Sequence, residues 1–260
     1  MSFEFIKSYK DSSIGVILLD RPKVLNSLNS QMLREMSSQL EEWATDAEVG
    51  VVVFGSTSSK SFAAGADLEE LKSLSPLEVI NDYPMAALYG QIEQFLKPTI
   101  AAVDGLALGG GFELALACDI RIASEEAKFG FPELGLGILP GAGGTQRLKQ
   151  AVGRSVALYS VLSGEKIDGT RAYSVGLVAE LSEEPFSRAI ELAKRIRSNG
   201  PIAQYLAMTA VKGSGQVGHH VEQLSQALAF STQDSAHGIQ SFLNKEKPQF
   251  SQSPLKEGNQ

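Results

Sequence analysis

Runs of hydrophobic residues predict strands in the first half of the chain. The predicted strands cover residues 3–7, 14–19, 50–55, 99–103 and 119–123. Helical periodicity separates some of them, over residues 30–44, where Asn29 is the predicted N-cap, and over residues 84–95. Because strands alternate with helices along the chain, the pattern predicts an α/β fold.

The pattern changes after Glu184, where no further strand is predicted. Helices are predicted over residues 186–197, from Pro201 onward, and over residues 220–230 and 238–245. We therefore predict three parts: an α/β core over residues 1–195, a helical region over 196–250 and a mobile polar tail over 251–260.

Composition and charge limit the classes of function. The chain has 260 residues, 30 acidic against 23 basic, and a net charge of −7, which disfavours binding to nucleic acid or an anionic membrane. The longest apolar stretch, residues 99–118, contains Asp104, Glu113 and four glycines, so we expect it in a soluble core. The lone Cys118 and a charged N-terminal segment favour a cytoplasmic location, with Cys118 as a small buried side chain.

Two segments rich in small residues carry the candidate chemistry. They are FAAGAD at 62–67 and LALGGGFE at 106–113, and Glu133 follows downstream. Small residues leave the backbone N–H groups of Ala66 and Gly110 open to a carbonyl oxygen that becomes an enolate anion. Glu113, within an apolar helix, and Glu133 supply carboxyl groups for proton transfer.

These motifs belong to a longer series that resembles the enoyl-CoA hydratase/isomerase (crotonase) superfamily, most closely its hydratases. The series is LDRPKVLNSLN at 19–29, SFAAGADLEEL at 61–71, KPTIAAVDGLALGGGFELALACD at 97–119 and KFGFPELGLGILPGAGGTQRL at 128–148. The resemblance covers nearly the whole chain. It implies a crotonase-type spiral of ββα units, a C-terminal helical region that mediates trimer formation, and assembly as a homotrimer or a homohexamer made of two trimers.

The resemblance also implies a reaction, the addition of water across the C2=C3 bond of a 2-enoyl-CoA. By family alignment, Ala66 and Gly110 form the oxyanion hole, Glu113 is the base on water and Glu133 protonates C2. Gly141 contributes a backbone contact to the water. Coenzyme A is then part of the substrate, and no tightly bound cofactor is expected. Which glutamate is ionised at rest stays open, because close carboxyl groups share their protons.

Coenzyme A contacts are assigned by the same resemblance. Lys60 is a candidate for the phosphates, Val24 and Ala64 for the adenine, and Lys245 for a contact that a neighbouring subunit can provide. Further candidates near the same motifs are Lys23, Asp67, Leu68 and Arg21.

Other functions remain open at this level. Double-bond isomerisation is one, although typical isomerases lose the counterpart of Glu113. A non-catalytic role in binding RNA or CoA esters is another, although the net charge disfavours RNA. Phe131 stands where many short-chain hydratases have Gln, and Phe112 where a smaller residue is common. The acyl chain length therefore stays open.

Two further patterns predict no site. GSGQVG at 213–218 matches a dinucleotide-binding motif but follows a helical segment, so we interpret it as a loop between helices. His219, His220 and His237 lack the spacing of a metal site and are expected to be solvated loop residues.

Overall fold

The computed structural model describes residues 3–81, 83–213 and 215–250. Within these ranges the chain forms ten strands and eleven α-helices. The strands are β1 (Ile6–Asp11), β2 (Ile14–Leu19), β3 (Val51–Ser56), β4 (Ser61–Ala63), β5 (Thr99–Val103), β6 (Leu106–Leu108), β7 (Ile120–Ala123), β8 (Lys128–Gly130), β9 (Ile167–Asp168) and β10 (Glu180–Leu181).

The helices surround and follow these strands. They are α1 (Ser30–Thr45), α2 (Leu68–Lys72), α3 (Pro76–Asn81), α4 (Pro84–Glu93), α5 (Gly110–Ala117), α6 (Gly144–Ser163), α7 (Gly169–Ser174), α8 (Pro185–Arg197), α9 (Pro201–Lys212), α10 (Gly215–Phe230) and α11 (Gln233–Leu243). Short 3-10 turns form at Pro22–Val24 and Glu133–Leu136.

Two sheets share the strands in a regular way. The larger sheet has the order β1-β2-β3-β5-β7-β10, and the smaller one has the order β4-β6-β8-β9. Three successive pairs of strands each contribute one strand to the larger sheet and the next to the smaller sheet, and a helix follows. These pairs are β3 and β4, β5 and β6, and β7 and β8. The predicted α/β class is confirmed, and this repeated ββα order is the spiral that the resemblance implied.

The core lies on both faces of the larger sheet. Strands β2 and β3 are nearly continuous runs of apolar residues, because both faces of a strand in the interior of such a sheet are buried. On one face Leu19 and Phe54 pack into the main cluster with Trp43 of α1. On the other face Val53 packs with Ala189 of α8.

The longer predicted strands are found close to their predicted positions, but the first one begins later. Residues 4 and 5 lie outside β1, and their backbone amides donate to the Glu35 carboxylate at 3.0 and 2.9 Å. The Phe5 carbonyl still accepts from the Asp20 amide at 2.9 Å. No hydrophobic pattern in the sequence predicts β4, β6 or β8. Each has three residues, which is too short for a period-two pattern to be read.

The C-terminal part is helical, and no strand follows Leu181 in the described ranges. Two predictions need correction there. GSGQVG is not simply a loop, because its residues 215–218 lie in α10. The three histidines are exposed, but His219 and His220 lie on α10 and His237 on α11, so they are helical and not loop residues. The predicted tail 251–260 lies outside the described residues, and the three-part division stays a prediction.

Candidate functional site

Helix α5 brings Glu113 into the interior, where two backbone amides bind it. The residue is only 2% exposed. Its Oε1 accepts hydrogen bonds from the Ala142 and Gly144 amides, both at 2.8 Å. Burial raises the pKa of the Glu113 carboxyl, while the two amides and the Arg147 charge act in the opposite direction. The carboxyl group is thus held through one oxygen, and the described residues offer no hydrogen bond to the other.

Glu133 is held quite differently, at the start of the 3-10 turn that follows Pro132. It is 9% exposed, and its Oε2 is buried without a hydrogen-bond partner among the described residues. Burial raises the pKa of Glu133 to about 7, and the Glu113 charge adds to this rise. The two carboxyl groups are therefore close enough for their charges to interact.

Glu133 also lies directly against the glycine run. A Cβ built on Gly109 would be 2.9 Å from its Oε1, so a side chain there would displace the carboxyl group. Gly109 has a φ of +50° and precedes α5 as its N-cap. Gly110 is therefore the first residue of the helix, and its N–H has no acceptor within the described part of the chain.

The second amide, that of Ala66, comes from the loop after β4. Gly65, with a φ of +116°, packs against Gly109, since a Cβ built on Gly109 would be 3.7 Å from Gly65 Cα. Leu28 fixes the loop from the other side: its N–H donates to Gly65 O at 2.8 Å and its carbonyl accepts from the Asp67 amide at 2.9 Å. The Ala66 N–H takes part in no backbone hydrogen bond of the described ranges.

The start of α5 has little freedom to move. A Cβ on Gly111 would lie 2.2 Å from Ala63 O, so only glycine fits between the helix and β4. The buried Tyr89 hydroxyl donates to Gly110 O at 2.6 Å. Both contacts hold the first turn of α5, which carries the Gly110 amide.

Phe112 and Phe131 pack against each other, and Phe131 also lies next to Gly144. Their ring centroids are 4.7 Å apart, and both side chains are fully buried. A Cβ on Gly144 would be 2.7 Å from Phe131 Cζ. The two aromatic residues therefore support the segment that binds Glu113.

Tyr83 is a residue of this site that the sequence did not indicate. Burial and the charges of Glu113 and Glu133 raise its pKa to about 12. It lines a cavity of about 140 Å³ together with Ala66 and Met85. No motif points to it, because it precedes α4 by one residue and is remote in sequence from both glutamates.

Gly141 lies next to this tyrosine. It is exposed, and a Cβ built on it would be 3.6 Å from Tyr83 Cε1. Its neighbour Ala142 donates to Glu113, so Gly141 lies on the segment that binds this carboxyl group, and its contact with water stays a prediction.

The candidates for coenzyme A contacts divide into two groups. Lys23, Val24, Lys60 and Leu68 are exposed, and Ala64 is half-buried. The Ala64 amide donates to Leu25 O at 3.0 Å, which places the 3-10 turn with Lys23 and Val24 beside the loop that carries Ala66.

Asp67 and Arg21 already have internal partners. Arg21 Nη1 contacts Asp67 Oδ2 at 3.2 Å, and the Arg21 guanidinium stacks on the Phe5 ring with 5.0 Å to its centroid. The Asp67 side chain also accepts from the Glu69 amide as the N-cap of α2. Both residues therefore shape the loop around Ala66. Lys245 follows α11 with a φ of +58°, and no hydrogen bond among the described residues joins it to the site.

Other predictions concern residues outside the candidate site. Cys118 is buried, as expected, and burial raises the pKa of its thiol. The described residues contain no group of three or more His, Cys, Asp or Glu side chains that could hold a metal ion. Every helix in the same ranges is too short or too polar to span a lipid bilayer.

Comparison with known proteins gives close relatives over almost the whole chain. The family model for enoyl-CoA hydratase/isomerase matches residues 9–253. A probable mitochondrial enoyl-CoA hydratase 2 of Arabidopsis thaliana is 41% identical, over 94% of this chain and 85% of the relative. The 2,3-dehydroadipyl-CoA hydratase of Escherichia coli K12 is also 41% identical, over 93% and 96%. The short-chain-enoyl-CoA hydratase of Clostridium acetobutylicum is 39% identical, over 92% and 94%.

Solved structures agree. The enoyl-CoA hydratase of Bacillus anthracis superposes with a TM-score of 0.90 at 35% identity, over 96% of this chain and 100% of the other. A Geobacillus kaustophilus structure, titled as an enoyl-CoA hydratase subunit, gives 0.91 at 36%, over 96% and 99%. The resemblance and the crotonase-type fold predicted from the motifs are both confirmed. The chain belongs to the enoyl-CoA hydratase/isomerase family.

Proposed function

We propose that the protein is an enoyl-CoA hydratase that adds water across the C2=C3 bond of a 2-enoyl-CoA to give a 3-hydroxyacyl-CoA. The observation that carries the proposal is the pair of buried carboxyl groups beside the Gly109–Gly110 turn, one bound by two amides and the other with a pKa of about 7. Relatives named as hydratases support the same reaction. Isomerisation is not favoured, because both carboxyl groups are present.

In this proposal the thioester oxygen accepts hydrogen bonds from the Ala66 and Gly110 amides. Negative charge grows on that oxygen as water attacks C3, so the two donors stabilise the transition state more than the substrate. The N-terminal end of α5 adds a favourable dipole. Losing one such donor typically costs about 10² to 10³ in rate.

The two carboxyl groups divide the proton transfers between them. Glu113 takes a proton from water while the water oxygen bonds to C3, and the π electrons of the double bond move toward the thioester oxygen. The enolate then collapses as C2 takes the proton of Glu133. Proton exchange with solvent restores both groups. The amides of Ala142 and Gly144 favour a charged Glu113, and the free Oε2 of Glu133 fits a group that keeps its proton near neutral pH.

In this proposal coenzyme A is part of the substrate, stays attached to the 3-hydroxyacyl product and is not a resident cofactor. The exposed side chains of Lys23, Val24, Lys60 and Leu68 lie on segments adjoining the Ala66 loop, where the pantetheine and nucleotide would leave the site. Asp67 contributes indirectly, by capping α2 and pairing with Arg21. Lys245 is assigned only by resemblance.

We further propose a homotrimer or a dimer of trimers in the cytoplasm. The C-terminal helices expose large apolar side chains, for example Val211 at 84% and Phe242 at 81%. Apolar surface of this extent on neighbouring helices is typical of protein interfaces. Sedimentation equilibrium would give the number of subunits.

The proposed reaction is tested by following the loss of the conjugated enoyl-thioester absorbance of crotonyl-CoA. We expect rapid loss with the wild-type protein and a rate lower by about 10² to 10⁴ with Glu113→Gln. Glu126→Gln, an exposed glutamate on the loop between β7 and β8, is the matched control and should be unchanged. Full activity of Glu113→Gln, or no turnover of any 2-enoyl-CoA by the wild type, would refute the assignment.

A further inference from the structure

Tyr83 lies between the carboxyl groups and the 140 Å³ cavity. Its ring packs on Gly141, beside the segment that binds Glu113. Its hydroxyl contacts Met85 Sδ at 3.6 Å, and that sulfur is 2.8 Å from a Cβ built on Gly110. The ring therefore spans from the loop that holds the proposed base to the amide of the proposed oxyanion hole.

The cavity is the apolar space that adjoins the reacting atoms. Its apolar walls include Leu28, Leu33, Leu71, Leu74 and Met85. Ala66, which supplies one amide, also lines it. A thioester oxygen bound at that amide would therefore have this cavity beside it, as a space for the remaining acyl carbons.

The size of the cavity limits what it can hold. Its volume is about 140 Å³. An engineered apolar cavity of about 150 Å³ accepts benzene, so the present one fits an acyl end of similar size. The Tyr83 ring forms part of the wall that a longer chain would meet, and its packing on Gly141 and Met85 holds it there.

The wall of the cavity also contains acidic side chains. Asp67 and Glu70 line it. Arg21 pairs with Asp67 at 3.2 Å, whereas Glu70 has no basic partner among the described residues. Glu70 accepts hydrogen bonds from the Ser30 amide and hydroxyl, both at 2.7 Å, which hold its carboxylate in place at the wall. An acyl group that ends in a carboxylate would meet like charges there.

We propose that Tyr83 is a specificity-determining residue that restricts the enzyme to short, uncharged 2-enoyl groups. This inference rests on the proposed hydratase activity and adds the substrate class to it. Tyr83 acts here through the space that its ring occupies, so its hydroxyl is dispensable for the choice of chain length.

The test compares kcat/KM for crotonyl-CoA and 2-decenoyl-CoA in the wild type, Tyr83→Ala and Tyr83→Phe. We expect Tyr83→Ala to raise the ratio of decenoyl to crotonyl activity by about tenfold or more, since each methylene accommodated in an apolar pocket is worth about tenfold or more. Tyr83→Phe keeps the ring and should leave the ratio unchanged. Tyr173→Ala, an exposed tyrosine on α7, is the matched control and should also leave it unchanged.

Several results would overturn the inference. Equal loss for both substrates in Tyr83→Ala would show a merely structural role. If that variant does not fold, Tyr83→Leu is measured in its place, and an unmoved ratio there would refute the inference as well. Wild-type protein that hydrates 2-hexenoyl-CoA and its terminally carboxylated analogue equally well would overturn the restriction to uncharged groups. No turnover of any 2-enoyl-CoA would refute the proposed function itself, and the inference with it.

Discussion

The two glutamates lie in one site, but their surroundings differ in the groups that contact the carboxyl oxygens. Glu113 lies on a helix, and two amides bind its Oε1. Glu133 lies on a 3-10 turn, and its Oε2 has no partner in the described residues. Amides favour the charged form, whereas burial without partners favours the neutral one. Two identical side chains can therefore serve as base and acid, because the backbone around them differs.

Removing either carboxyl group is expected to have the largest effect on activity, and it tests whether the two glutamates have different roles. We expect Glu113→Gln and Glu133→Gln each to lower kcat by about 10² to 10⁴, because each group transfers one of the two protons. The double variant should lose far less than the product of the two single losses, since the groups act as a unit.

Steady-state rates with crotonyl-CoA measure all three losses, and circular dichroism checks that each variant is folded. Strictly multiplicative losses would contradict the shared role and would mean that the two glutamates act independently.

The pH dependence tests which group is the acid. Burial raises the Glu133 pKa to about 7, so Glu133 carries its proton below that pH and loses it above. A general acid must be protonated, hence kcat/KM should fall about tenfold per pH unit on the alkaline side of about 7. The residual activity of Glu133→Gln should lack this fall. If the fall persists in that variant, another group titrates and the assignment of the acid is wrong.

Much of this difference could not be predicted from the sequence. The motifs gave both glutamates and both amides, because glycine and alanine next to a carboxyl group in an apolar segment point to a site. They did not give the amide donors of Ala142 and Gly144, since any backbone has such groups and only the fold directs them to Glu113.

The same limit explains the elements and residues that were missed. Strands β4, β6 and β8 are stabilised by pairing with one another, and three residues carry no period of their own. Tyr83 reaches the site because α4 begins next to it, and nothing in its local sequence distinguishes it from other tyrosines. Asp119 likewise has a role that only the fold shows: its side chain accepts from the Thr99 amide at 2.9 Å and joins the end of α5 to β5.

The smallest change that sharpens the comparison is Gly144→Ala, which disturbs the support of Glu113 and leaves Glu133 in place. The new Cβ would lie 2.7 Å from both Glu113 Cγ and Phe131 Cζ. Overpacking of this kind costs about 1 to 3 kcal/mol in the free energy of unfolding, and kcat should fall because the carboxyl group must move. The matched control is Gly90→Ala inside α4, where a Cβ meets no atom within 4 Å. It should gain about 0.5 to 1 kcal/mol, because alanine is the better helix residue. Urea unfolding and crotonyl-CoA turnover measure both quantities. An unchanged kcat in Gly144→Ala would mean that the position of the Glu113 carboxyl does not depend on the two amides, and the basis for its role as the base would be lost.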